Sequence, residues 1–381
     1  MERVARTLVF LVAAGVAIPM VLDAQSTPDT ARSEARIQLG NLLFEDQRYW
    51  EAIPIFDEAK SGAGPEQLVA ASSGLLRSLL QVAEFTRVRE EADFLIGQAP
   101  DDPDILALRG DALWAAGLFD EAEQIYRDVL AMDAGSGAGR HGMAKSMTTR
   151  GLYDDALEWI HAALEASPEV ATFHHTLGFI HQRMRRYPQA ADAYQAYVDR
   201  LPAADNSEKA DWARAEVRFL RSFGDRPALA LTEPGRVHTI PFRLVRDKVI
   251  VRGRVNGRDP IDFVMDTGAE QTVLSQPVAR DLNIQPIANT LSAGVGEVGL
   301  RGLQTGRLDS LEIGSLSVSN LPVIIKSPPL GGLPTPEAEG FSPLALGLSM
   351  TIDYDRQELI VAEELPDEPA DIELPLRQYR L

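Results

Sequence analysis

Asp266-Thr267-Gly268-Ala269 is the stretch of this chain with the clearest capacity for chemistry. It follows Ile261–Met265, apolar apart from Asp262, and precedes Thr272-Val273-Leu274. β-branched and aromatic residues followed by Asp-Thr-Gly predict a strand that delivers a carboxylate into a tight turn. Gly268 lacks a Cβ, so the backbone there can bend and come close to a ligand. Thr267 can hydrogen-bond nearby backbone and hold the turn. A carboxylate so presented can take a proton from water, but a second acidic group must then donate one to the substrate. The chain carries one such motif where the chemistry takes two carboxylates, and the plain alternative is an Asp that only caps a turn.

Other groups fit this chemistry less well. Asp262 lies on the same strand face as Asp266 but too far along the backbone to share a proton with it. Asp353 and Asp355 occur in Ile-Asp-Tyr-Asp with no Thr-Gly after them, and read as strand and turn residues. A symmetric homodimer is the better source of the second carboxylate, because two-fold symmetry would face two copies of Asp266 across the axis. His174, His175 and His181 fall on one helical segment without HExxH spacing and with no cysteine to assist, so no metal site is expected.

The elements around the motif are short β-rich runs separated by turn residues. They are Thr239–Val245, Lys248–Val255, Ile261–Met265, Leu308–Ile313, Val323–Ile325, Met350–Tyr354 and Glu358–Val361. Asn256-Gly257 and Gly314-Ser315 predict hairpin turns. Many short strands at this spacing predict a small closed β domain.

The N-terminal half has a different texture. One phrase recurs at Gln47–Ala52, Gly117–Ala122, Gly151–Ala156 and Arg185–Ala190, with a weaker copy at Glu84–Val88. Ala122, Ala156 and Ala190 are spaced by 34 residues. Gly40, Gly110, Ala144 and Gly178 stand 12 residues ahead of these anchors, and Pro100, Pro168 and Pro202 stand 12 behind. Aromatics follow the alanines at Phe56, Tyr126 and Tyr194. The period and the small, aromatic, small, Pro order resemble tetratricopeptide repeats. Small residues let paired helices approach, the aromatic fills the gap, and Pro breaks the chain before the next pair. About five repeats are expected over 33–204, the second degenerate, with a capping helix at 205–223 and a linker at 224–236. The resulting groove would take a protein partner, or the repeats would only position the rest of the chain.

The chain has 381 residues, 45% hydrophobic and 24% charged, enough for several cores. A net charge of −19 argues against a nucleic-acid partner. Arg3 and Arg6 precede an apolar run over Thr7–Leu22, and Leu22-Asp23-Ala24 forms a small-residue cleavage site. Residues 1–24 therefore read as a signal peptide for export to the periplasm or beyond, with a retained N-terminal anchor as the alternative. The chain has no cysteine, so stability after export rests on packed cores.

Residues 237–362 resemble a retropepsin-like aspartic protease of the bacterial type. The matching text is Val255-Asn256-Gly257, Phe263–Ala269, Thr272–Ser275, Ala293-Gly294-Val295-Gly296 and Thr351–Asp355. The expected architecture is thus multidomain, an all-α repeat superhelix followed by an all-β barrel, with an acidic Pro-rich tail at 363–381. The resemblance implies an aspartic endopeptidase with Asp266 catalytic and Thr267, Gly268 and Ala269 supporting the site. It makes Gly294, Val295 and Gly296 part of a flap that closes on a peptide or protein substrate, and it requires no cofactor. The resemblance departs near Leu344-Ala345-Leu346-Gly347, where little room is left for the helix that usually precedes Ile-Asp-Tyr. Either Pro343–Leu348 forms that helix or the region is rearranged around Gly340. The alternative reading is a non-catalytic envelope scaffold with a degenerate protease fold; a third is self-processing only.

Overall fold

The computed structural model describes residues 8–13, 16–21, 28–201, 208–269, 271–292, 301–326, 339–366 and 372. The apolar N-terminal run pairs as a hairpin of β1 (Leu8–Ala13) and β2 (Val16–Val21). Among the described residues no helix is long and apolar enough to cross a membrane.

Helices then follow in packed succession: α1 (Pro28–Glu45), α2 (Tyr49–Ala59), α3 (Pro65–Gln81), α4 (Phe85–Gln98), α5 (Pro103–Ala115) and α6 (Phe119–Met132). The series continues with α7 (Gly137–Thr149) and α8 (Tyr153–Ala166), packed on each other; α9 (Ala171–Arg183), α10 (Tyr187–Asp199) and α11 (Glu208–Arg221) follow, with α10 packed against α9 and α11. These are five helix pairs and a final helix. The sequence rule for their packing is visible in the contacts. A Cβ added to Gly40 or Gly74 would meet the Phe56 ring at 2.6 and 2.3 Å. Gly110 and Gly142 bracket Tyr126 in the same way, at 2.5 and 2.1 Å. The degenerate second pair folds like the others, with Val88 fully buried at the alanine position.

The turn inside each pair carries one left-handed residue: Gln47, Ala83, Gly117, Gly151 and Arg185, with φ between 58 and 79°. Glycine takes this conformation freely, whereas a side chain raises its cost.

The strands continue as β3 (Ala230–Leu231), β4 (His238–Pro241), β5 (Arg243–Val245), β6 (Lys248–Val255), β7 (Ile261–Met265) and β8 (Thr272–Ser275). A six-residue helix, α12 (Gln276–Asp281), separates β8 from β9 (Ala288–Ser292). Then come β10 (Arg301–Ile313), β11 (Leu316–Lys326), β12 (Glu339–Phe341), β13 (Ser349–Asp353) and β14 (Glu358–Ala362). Strands β11, β8, β12, β7, β6 and β10 are neighbours in that order, and pairing of β10 with β11 closes the circuit. This is the closed barrel expected from the sequence. Its core holds Phe263, Leu274, Leu308, Leu321, Val323 and Phe341. A separate sheet joins β13, β14 and β4.

Both predicted hairpin turns form. Asn256 and Gly257 have φ of 49 and 69°, the two positive values a type I′ turn requires. Gly314, at φ 59°, begins a two-residue turn between Ile313 and Leu316.

The domain boundary differs from the expectation. Two compact units emerge, one containing α1–α8, the other spanning 174–201 and 206–376. The segment 224–236 is not a free connector. Leu229 N–H donates to the Asn320 carbonyl, Asn320 Nδ2 donates to the carbonyls of Arg226 and Pro227, and β3 pairs with β11. Within the second unit, Tyr187, Tyr194, Phe219 and Phe223 share a core with Ala288 of β9. The last repeat and the barrel are therefore one packed body.

Candidate active site

Asp266 leaves the barrel at the end of β7, where the strand passes from core to surface. Phe263 and Val264 are buried, Met265 is half-buried, and Asp266, Thr267 and Gly268 are exposed. Strand β12 lies parallel to β7, with Phe341 opposite Met265. The Asp266 N–H donates to the Phe341 carbonyl at 2.8 Å, so β12 fixes where the carboxylate emerges.

The turn is closed by the aspartate itself. Asp266 Oδ1 accepts the Gly268 N–H at 3.0 Å, and the Ala269 N–H reaches the Asp266 carbonyl at 3.4 Å. This is the Asx-turn geometry available to a short carboxylate. Thr267 was expected to brace the turn; among the described residues its hydroxyl makes no hydrogen bond and stays exposed. Gly268 does not use a positive φ, and a Cβ there would lie 3.5 Å from Asp266 Oδ1, in ordinary contact. Its contribution is the N–H that orients the carboxylate. Among the described residues the second Asp266 oxygen accepts no hydrogen bond.

The other acidic candidates are engaged elsewhere. Asp262 pairs with Arg243 at 2.8 Å and with Arg252 at 3.7 Å. Asp353 accepts the Arg356 N–H at 2.8 Å in the turn between β13 and β14, and Asp355 is an exposed turn residue. His175 packs edge-on against Tyr194 and Tyr197 at 5.5 and 5.3 Å. Among the described residues no group of His, Cys, Asp or Glu has the geometry of a metal site. Gly294, Val295 and Gly296, read as the flap, lie outside the described residues.

One buried acid beside the site escaped the sequence reading. Glu339, on β12, is fully buried. Its carboxylate accepts the Ser275 backbone N–H and, at 2.9 Å, the Ser275 hydroxyl. Ser275 is also the N-cap of α12, where its Oγ accepts from Val278 N–H at 3.4 Å. Burial pushes the Glu339 carboxyl above its ordinary value, and the two Ser275 hydrogen bonds pull the other way. Glu339 thereby ties β12 to the end of β8 and to α12. The signal was an acid directly before Gly340, but its partner lies 64 residues away.

Of the two arrangements open to this stretch, a helix over Pro343–Leu348 or a rearrangement, the structure has the second. Gly340 sits in β12, and only Leu344–Leu346 form a single 3₁₀ turn. Gly347 ends it with φ 67°. Pro343 favours the start of this turn and prevents its own nitrogen from donating.

Residues 251–333 match the family model described as "gag-polyprotein putative aspartyl protease". Residues 74–137 and 113–175 each match a tetratricopeptide-repeat model. The chain thus carries tetratricopeptide repeats followed by a retropepsin-like domain. Among solved structures, it is similar to a thermophilic tetratricopeptide-repeat protein of Thermus thermophilus at 17% identity, over 49% of this chain and 98% of that one, with a TM-score of 0.41. A tetratricopeptide-repeat protein from Parabacteroides merdae is similar at 15% identity, over 52% of this chain and 75% of that one, with a TM-score of 0.38. No curated protein matches the chain.

Proposed function

We propose that this chain is an exported aspartic endopeptidase that works as a homodimer, each protomer supplying Asp266, with the helical repeats recruiting a protein substrate or partner. The observation that carries the reading is the exposed Asp266 carboxylate. It is oriented by Gly268 N–H and anchored through its own N–H to β12 in a closed retropepsin-like barrel. A turn that only needed capping would not require a parallel strand to fix the carboxylate's exit.

In the dimer the two carboxylates share one proton, because two close like charges cannot both ionise, as is general for aspartic proteases. One takes the proton of a water as it attacks the scissile carbonyl. The other donates to the oxygen of that carbonyl as charge develops there. The exposure of Thr267, with no hydrogen bond to its hydroxyl among the described residues, supports a role in cross-bracing the partner's loop. Repeat domains of this kind present concave surfaces to protein segments, which supports recruitment by that half.

The test is peptide cleavage by the purified full chain at mildly acidic and neutral pH, with and without Asp266→Asn. The substitution should lower cleavage by about 10²–10⁴-fold with the fold retained. Activity surviving the change would overturn the mechanism, and no cleavage by the unaltered chain would favour the scaffold reading, to which the shortened turn at Leu344–Leu346 lends support.

A further inference from the structure

The 3₁₀ turn after β12 is short, and its last carbonyl is met from outside the barrel. Arg185, in the turn between α9 and α10, donates from its guanidinium Nη2 to the Leu346 carbonyl. The two residues are 161 positions apart and belong to the same compact unit. A cation at the carbonyl end of a helical turn is well placed, since that end carries partial negative charge. Gly347 leaves the room for it: a Cβ there would fall 1.9 Å from Arg185 Nη2. Gly347 is therefore needed twice, for its positive φ and for the guanidinium.

The backbone at Arg185 makes the contact more informative. Its φ is 59°, in the turn position that Gly117 and Gly151 occupy in the two preceding pairs. An arginine there carries a conformational cost that a glycine would avoid. Packing of the repeat alone does not call for it, because the side chain reaches away to β-domain backbone.

From Leu346 the connection to the catalytic turn is five residues long. Leu346 and Leu348 N–H groups both reach the Pro343 carbonyl, at 3.0 and 3.1 Å. Ala345 N–H donates to the buried Ser342 hydroxyl at 3.3 Å. Phe341 then accepts the Asp266 N–H. We infer that Arg185 of the last helical repeat is a positioning residue for the Asp266 loop, clamping the short 3₁₀ turn Leu344–Leu346 that follows β12. The last repeat is then part of the catalytic body. The catalytic half of this inference rests on the endopeptidase reading; the clamp itself does not.

Arg185→Gly in the full chain separates the two roles, because glycine suits the left-handed turn while removing the guanidinium. Hydrogen exchange should show the Leu346, Gly347 and Leu348 amides exchanging about tenfold faster or more, with β10 and β11 unchanged. Helical content and thermal midpoint should hold or rise. Arg185→Lys, which can still donate to the carbonyl, should recover part of the protection. Peptide cleavage should lose kcat with KM little altered. Unchanged exchange at the three amides in Arg185→Gly would overturn the clamp, as would acceleration spread evenly over the barrel. Faster exchange with kcat unaltered would overturn the positioning role. Should the unaltered chain cleave nothing, the endopeptidase reading fails and takes the positioning role with it, while the exchange arm still decides the clamp.

Discussion

Asp266 owes its presentation to backbone on either side: Phe341 receives its N–H and Gly268 turns an N–H back to its carboxylate. The sequence made that residue legible because strand, turn and acid are contiguous. Glu339 was not, since its role depends on Ser275, which the chain brings alongside only when β8 and β12 pair. Burial raises the Glu339 carboxyl in the folded protein, so folding favours its protonated form. Its contribution to stability is present below the ordinary carboxylate value and is lost as pH rises through the raised folded value. Glu339→Gln removes this dependence. The thermal midpoint of the unaltered chain, measured against the variant, should therefore decline as pH rises from about 4 toward neutrality. A difference that stays flat across that range would show that folding leaves the Glu339 carboxyl unshifted, and a difference that grows with pH would show that the fold favours its ionised form.

At the scale of elements, the helical half was readable because each pair repeats one packing solution. Phe56, Tyr126 and Tyr194 are fully buried against small residues, as the period implied. Gly142 was not singled out, yet it lies nearest to the Tyr126 ring. Gly142→Ala should cost about 1–3 kcal/mol through overpacking, seen as a lower denaturation midpoint with unchanged secondary structure. A neutral result would mean that the ring has room to withdraw. The repeat period also aligns Asp111 with Lys145, 34 residues on, and both meet at 2.5 Å while Tyr126 donates to the same carboxylate oxygen at 2.7 Å. That pairing follows from the period but not from composition. In the barrel, β6 and β7 were legible with their bounds, and β10 and β11 were recognised only in part. Strands β3 and β12 were missed because two or three residues carry no period of their own. Only partner strands define them.

At the scale of the molecule, the unexpected result is where the chain divides. Proline and glycine at 227, 234 and 235 suggested a connector, but Asn320 and β11 hold that stretch against the barrel. Local composition records flexibility in the unfolded chain and is silent about a partner that arrives later in sequence. The central claim concerns two chains: one protomer supplies half of a dyad. Subunit mixing tests it most directly. Unaltered chain is combined with increasing Asp266→Asn chain at constant total protein, allowed to exchange, and assayed for peptide cleavage. A shared dyad predicts activity falling as the square of the unaltered fraction, because mixed dimers lack one ionisable partner. A linear fall would contradict the account, since each chain would then hold a complete site of its own.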